Sequence, residues 1–484
     1  MNEEIVELTP RSVWKNFAKL NEVPRPSKKE ERVIEFMIHF GKSLGLETLS
    51  DEVGNVIIRK PASSGMVDKK TVILQSHLDM VHQKNSDTQF DFDKQGIQMY
   101  IEEDWVKAKG TTLGADNGMG VAAIMSLLEA DDIQHPPLEA LFTIDEETGM
   151  TGAFGLKGGL LKGEILLNLD TEEDDEIDIG CAGGIDVTAT RTYKEVSVLP
   201  KEVGLEINVK GLSGGHSGMD IHRGLGNANK IMNRLLYNGN ELDFRIAEIS
   251  GGGLRNAIPR ESSCKLNVDE NQKNAFLEIM DREITTIKSE LVLKEPKLEI
   301  SVEDLDKPNE QLMELEAQDK FIKIMYGLHN GVYSMSASMK DLVETSNNIA
   351  KVSVGNGTIL VGCLTRSSVE SGKMDLANSL KSVFELGGFA VDFSGAYPGW
   401  NPNMDSKILK VVRSVYTNLF ASEPEVVACH AGLECGILGQ NYPEMDMVSF
   451  GPTIKGAHSP DERVSISSVQ KFWKFLIEIL KQTP

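Results

Sequence analysis

The 484-residue sequence predicts an α/β protein in which a mostly parallel sheet sandwiched by helices is interrupted by a large inserted α+β domain. Three observations carry this. Short apolar runs alternate with helical periodicity through the first third of the chain, the pattern of strands joined by crossover helices. Each of those runs ends in an acidic residue or a histidine. The texture changes at Val187 to alternating strands followed by amphipathic helices, and reverts near Pro398. One domain is therefore assigned to 1–186 and 398–484, and the insert to 187–397.

In order, residues 12–47 carry apolar positions at helical spacing, Val13, Phe17 and Leu20, then Val33, Phe36, Met37, Phe40 and Leu44. Pro24-Arg25-Pro26 divides them into two helices. Val56-Ile57-Ile58 and the run from Val72 read as strands, followed by a helix over 118–130 and further strands at 139–144 and 165–169. Within the insert, strands at 205–209 and 264–268 show alternation. The unit formed by strand 264–268, helix 272–292 and strand 298–302 is echoed by 359–364, 370–386 and 389–393, which makes two similar subdomains an open alternative. A helix at 406–419 and a strand at 447–450 then complete the first domain.

Composition excludes several classes. With 40% hydrophobic and 25% charged residues the chain is of ordinary globular type, and no run approaches the length of a membrane span. The opening MNEEIVELTP lacks a basic region followed by an apolar stretch, so the expectation is a cytoplasmic protein without an export signal. Fifty Lys plus Arg against 73 Asp plus Glu give a net charge of −23, which repels nucleic acid and acidic membranes and favours small or cationic ligands. Five scattered cysteines, none in a C-x-x-C pair, fit reduced thiols.

The chemistry gathers at strand ends. His77 and Asp79 close the apolar run from Val72; two apart, they share one side of an extended chain, and Asp79 can accept the imidazole N–H not used for a ligand. Alone, such a pair is more often an ordinary strand-end histidine. Gly114-Ala115-Asp116-Asn117-Gly118 opens the helix that follows, Asp145-Glu146-Glu147 follows another strand, Asp170 the next, and His458 stands in Lys455-Gly456-Ala457-His458. Two histidines with three or four carboxylates suit a hydrolytic pair of zinc or manganese ions about 3.5–4 Å apart, bridged by a carboxylate and a water. Of two adjacent glutamates, one can hold metal while the other takes a proton from water. No Gly-x-Gly-x-x-Gly or phosphate-loop lysine follows any strand, which argues against a nucleotide-binding protein.

In that order these residues resemble the co-catalytic metallopeptidase family that includes aminoacylases, glutamate-releasing carboxypeptidases, desuccinylases and dipeptidases. His77-Leu78-Asp79-Met80-Val81, Gly214-Gly215-His216-Ser217-Gly218, Leu342-Val343-Glu344-Thr345-Ser346 and His430-Ala431-Gly432-Leu433-Glu434-Cys435 are similar to its Xaa-His dipeptidase branch, which splits unblocked dipeptides such as carnosine. The resemblance implies a di-metal catalytic domain with an inserted lid. It implies two divalent ions, zinc with manganese or cobalt as alternatives, one held by His77 and Asp170, the other by Glu147 and His458, with Asp116 bridging. It further implies Glu146 as general base, Asp79 orienting His77, and substrate contacts from His216, Asn256, Arg366 and Gly432. The implied partner is a small peptide, with no nucleic acid or membrane and a homodimer left open. His82 departs from the pattern, standing where a proline is expected. His39, His135, His222 and His329 are read as bystanders, and no role is assigned to His430. Rival readings are an N-acyl amino-acid deacylase or tripeptidase on the same core, and a metal-binding scaffold without turnover.

Overall fold

The computed structural model describes residues 2–484. It contains two compact units, one running up to Gly180 and including Pro402–Ala428 and Leu433–Pro484, the other Cys181–Asn401 with Cys429–Gly432.

The first unit is built on an eight-stranded sheet in the order Glu47–Ser50, Val56–Lys60, Leu138–Thr143, Val72–His77, Ile165–Asn168, Asp446–Ser449, Glu176–Cys181, Glu425–Cys429. Its four central strands, from Leu138–Thr143 to Asp446–Ser449, run parallel. Antiparallel pairing begins on either side of them. The edge is antiparallel for a physical reason: the connection 51–55 joins neighbouring strands and is too short for a crossover. Three of the central strands, Leu138–Thr143, Val72–His77 and Ile165–Asn168, are buried along their whole length, and Asp446–Ser449 is buried except at Asp446, as strands covered on both faces must be.

Helices Arg11–Asn21 and Glu31–Ser43 bury Val13, Phe17, Leu20, Val33, Met37 and Phe40 of the predicted stripe, with Trp14 beside them, while Phe36 is half-buried and Leu44, just past the second helix, is exposed. Helix Ala115–Glu129 is buried on nearly every side, and its apolar sequence leaves no solvent face. Gly120 is what lets it approach the sheet: a Cβ there would lie 2.4 Å from Ser76 Oγ and 2.7 Å from the Leu169 carbonyl. A second, four-stranded sheet of Ile454–Lys455, Arg463–Ser465, Trp105–Ala108 and Met99–Glu102 occupies a region to which the sequence pattern assigns nothing. It fixes both ends of the loop that carries His458.

The second unit carries a nine-stranded antiparallel sheet. Strand Gly183–Thr192 pairs along its length with Thr358–Ser367, and the unit begins at Cys181, a few residues before the change of texture at Val187. The two strand–helix–strand units are both present, Ser262–Asp269 with Lys273–Leu291 and Glu299–Asp304, and Thr358–Ser367 with Glu370–Leu386 and Ala390–Tyr397. In each, the two parallel strands flank a third that is antiparallel to both, Glu202–Lys210 in one and Gly183–Thr192 in the other. They share one sheet and one apolar core running from Ile185 to Phe389. Of the five cysteines, Cys181, Cys264, Cys363 and Cys435 are buried and Cys429 is half-buried. Among the described residues no helix is long and apolar enough to cross a membrane.

Candidate active site

His77 is the last residue of its strand and is buried, with Nε2 3.1 Å from Asp116 Oδ1 and 3.6 Å from Asp170 Oδ1. The other oxygen of Asp116 lies 3.2 Å from His458 Nε2, which is also 3.0 Å from Glu147 Oε2. Two groups of three donors, His77, Asp116, Asp170 and Asp116, Glu147, His458, thus share Asp116, one oxygen facing each. Nitrogen and carboxylate donors converging on two centres through one bridging carboxylate are the donor chemistry of a pair of divalent cations. A buried Glu147 Oε1 without a hydrogen-bond partner adds to the fit.

The electrostatics point the same way. Hydrogen bonds that His458 donates to Asp116 and Glu147 push the imidazole up to about 11. Burial lowers His77, but the Asp170 charge and the Asp116 and Asp79 hydrogen bonds outweigh it and hold the imidazole well above its usual range. Burial and neighbouring carboxylates push Glu146 and Asp170 well above theirs. A site that crowds this many carboxylates together attracts positive charge, and a divalent cation is the compact way to supply it.

Asp79 does more than face His77. Its carboxylate lies 3.3 Å from His77 Nδ1, accepts from Ser27 Oγ at 2.8 Å, and accepts the backbone N–H groups of Glu146 and Glu147 at 3.0 and 3.3 Å. It caps the short turn Glu146–Gly149 and so fixes both glutamates. Asn117 donates to Asp170, where the helix start departs from helical geometry at Asp116 and Asn117.

Three buried residues escape a sequence reading. Arg25, inside the Pro24-Arg25-Pro26 break, donates to the carbonyls of Leu78, Asp79 and Gly114 and to Asn21 Oδ1, tying the His77 and Asp116 loops together. Glu462 accepts the four consecutive N–H groups of Leu113, Gly114, Ala115 and Asp116. Glu434 accepts from Gln75 Nε2 at 2.6 Å and Thr143 Oγ1 at 2.7 Å. An arginine between prolines and an acid in a loop look solvated in sequence; only Gln75, polar inside an apolar run, hints at a partner.

In the second unit Arg366 is 4% exposed, with Nη1 donating to Tyr397 Oη at 2.6 Å and Nε to Ser217 Oγ at 3.3 Å. Its Nη2 lies 3.5 Å from His216 Nε2. His216 Nδ1 accepts the N–H groups of Gly218 and Met219, which puts the ring proton on Nε2. Two N–H donors therefore face one spot with no acceptor of their own, an arrangement that invites an anionic oxygen. His430 is buried against Ser346 Oγ at 2.8 Å, and burial followed by the Arg366 charge pushes it down to about 3, so it stays neutral. Asn256 lies in an exposed turn and contributes its backbone carbonyl to Ser217 N–H at 2.8 Å, while Gly432 sits in the loop before helix Glu434–Asn441. Of the histidines read as bystanders, His135 contacts the Pro136 carbonyl and His329 that of Gly331; His82 packs on Phe92.

The profile of Peptidase family M20/M25/M40 matches residues 73–482. The chain is 44% identical over 482 residues, 99% of each chain, to the cytosol non-specific dipeptidase of Escherichia coli (strain K12). It is also 44% identical to a solved aminoacylhistidine dipeptidase from Vibrio alginolyticus, with a TM-score of 0.94 over 100% of this chain and 98% of that one. An aminopeptidase from Bacillus cereus, 14% identical, shares the fold at a TM-score of 0.58 over 98% and 99% of the chains.

Proposed function

The chain belongs to Peptidase family M20/M25/M40, and from that premise we propose that it is a metal-dependent dipeptidase hydrolysing unblocked dipeptides, Xaa-His and carnosine-type dipeptides among them. The observation that carries the reading is the pair of donor sets sharing Asp116, with Glu146 beside Glu147 on the turn that Asp79 caps. His77, Asp170 and Asp116 would hold one cation and Glu147, His458 and Asp116 the other, zinc first and manganese or cobalt as alternatives. Bound there, divalent cations polarise the scissile carbonyl and acidify the attacking water.

The remaining steps belong to the protein's own groups. Glu146 takes the proton of the attacking water and returns it to the leaving amine. Burial and the Asp170 charge raise its carboxyl above the usual range, in the direction that favours accepting a proton. Asp79 holds Glu146 in place through the backbone and biases the His77 tautomer. In the second unit, His216 Nε2–H is the donor assigned to the developing oxyanion, and Arg366, which has no acidic partner among the described ion pairs, is assigned to the substrate carboxylate. Asn256 and Gly432 are assigned to substrate through the family resemblance. A cytosolic location, in line with the name of the Escherichia coli relative, completes the proposal.

The test is release of free histidine from β-alanyl-histidine and from N-acetyl-histidine by protein stripped of metal and resupplied with zinc or manganese. Metal-restored cleavage of the free-amine dipeptide alone is expected. Cleavage of the acetylated compound alone would make the protein a deacylase, and cleavage of neither with two metals bound would favour a scaffold.

A further inference from the structure

Beneath the ligand set, one polar side chain from each of five neighbouring strands joins a buried chain across the first unit's sheet. The five are Thr143, Gln75, Asn168, Ser449 and Asp178, in the order of the strands themselves. Thr171 lies between Ser449 and Asp178, and Glu434 closes the other end. All seven are 8% exposed or less. None of them is a metal ligand or the general base.

Counting hydrogens fixes what the chain needs. Gln75 Nε2 donates to Glu434 Oε2 at 2.6 Å, Asn168 Nδ2 donates to Gln75 Oε1 at 2.5 Å, and Ser449 Oγ donates to Asn168 Oδ1. Ser449 Oγ is then 2.8 Å from Thr171 Oγ1, which is 2.8 Å from Asp178 Oδ2. The Ser449 proton is already used on Asn168. If Asp178 were ionised, the single Thr171 proton would have to serve both of the last two contacts. Placing a proton on Asp178 removes the deficit: Asp178 donates to Thr171, Thr171 to Ser449, and each later bond follows in the same direction.

The two carboxyl ends differ in their surroundings. Two donors, from Gln75 and Thr143, converge on Glu434 Oε2. Asp178 Oδ2 meets only the Thr171 hydroxyl, and no basic group forms an ion pair with Asp178 among the described residues. We propose that Asp178 is held as a neutral carboxylic acid whose donated hydrogen bond polarises the whole chain toward Glu434. The chain then fixes the ends of the strands that carry His77, Asp170 and the glutamate pair. Burial pushes both carboxyl ends up, Asp178 to about 6 and Glu434 to about 7, so it is the orientation of the Asn168 and Gln75 amides, and not the titration of either end, that places the proton at Asp178. Asp178 is a positioning residue: it touches neither substrate nor ligand and acts through Thr171, Ser449, Asn168 and Gln75.

The experiment is infrared difference spectroscopy of the metal-loaded protein, wild type minus Asp178→Asn, between about pH 5 and pH 8, with kcat and KM measured alongside. The expected result is a protonated-carboxyl band between about pH 5 and pH 6 that Asp178→Asn removes and Thr171→Val shifts to the frequency of a free acid. Asp178→Asn, which still donates to Thr171, should keep kcat within about threefold, whereas Asp178→Leu should lower kcat at least about tenfold with KM little changed, as for other groups supporting a metal site. A band that survives Asp178→Asn and vanishes in Glu434→Gln would reverse the polarity and overturn the proposal. So would the absence of any Asp178 band above about pH 5, or an unshifted band in Thr171→Val should the leucine variant not fold. The activity readout rests on the dipeptidase reading; the spectroscopic one does not, so the two can fail separately.

Discussion

Glu462→Gln tests how the Asp116 loop is held. The two carboxylate oxygens accept four successive backbone N–H groups, from Leu113 and Gly114 at 2.7 and 3.0 Å and from Ala115 and Asp116 at 2.7 and 3.3 Å. A glutamine keeps one acceptor oxygen and turns an NH2 toward the other pair of donors. Two buried N–H groups lose their partner, at about 1–3 kcal/mol each, for a total of about 2–6 kcal/mol. Since about 1.4 kcal/mol is tenfold, the lower bound corresponds to roughly a 30-fold loss of hydrogen-exchange protection at these amides. Hydrogen exchange read by mass spectrometry over residues 113–116 measures it, and a competitive chelator titration reads the accompanying loss of metal affinity, about 10–100-fold for an outer partner of a ligand. Protection and metal affinity both unchanged in Glu462→Gln would refute this account of the loop.

Further expectations are these. Glu146→Gln should lower kcat by about 10²–10⁴ while metal content stays at the wild-type value; loss of metal instead would make Glu146 a ligand. Arg366→Met should raise KM for dipeptides with a free C-terminal carboxylate and leave amidated analogues nearly unaffected, which parallel kinetics on the two substrates would reveal. His430 has its folded value lowered from 6.5 to about 3, so the unfolded chain takes up a proton that the folded one refuses. Its contribution to stability is therefore complete above pH 6.5 and is lost as the pH falls toward 3, and pH-dependent unfolding of His430→Gln should be flatter by about one proton in that window. Chelation should abolish dipeptide cleavage, and the metal-to-protein ratio should fall in His77→Ala if that residue is a ligand.

Much of this protein is legible in its sequence. The β-period and helix-period runs locate Val72–His77, Leu138–Thr143, Ile165–Asn168 and helix Glu370–Leu386, because apolar periodicity reports the burial that makes a strand or helix stable. Candidate donors are legible only as a set: a lone strand-end histidine is ordinary, but His77, Asp116, Glu147, Asp170 and His458 each follow or close an apolar run or a glycine turn, and the structure brings them together in two groups that share Asp116. The small sheet that holds the His458 loop is not legible, because its strands are two to four residues long and partly exposed. Nor are the antiparallel flanks of the main sheet, where pairing direction follows from connection length and not from composition.

What the sequence by itself determined is the kind of chemistry: which strands end in donors, and that those donors are nitrogen and carboxylate. Tertiary structure alone decided that Asp116 turns one oxygen to His77 and the other to His458, 342 residues further on. It also decided that Arg25 and Glu462 are buried clamps and not solvated charges, and that Gln75 connects to Glu434 across 359 residues. The physical reason is locality. Periodicity and turn chemistry act over a few residues and leave their mark in neighbouring letters, whereas a buried hydrogen bond is set by which distant groups the packed core brings within about 3 Å, and desolvation makes that pairing obligatory once they meet.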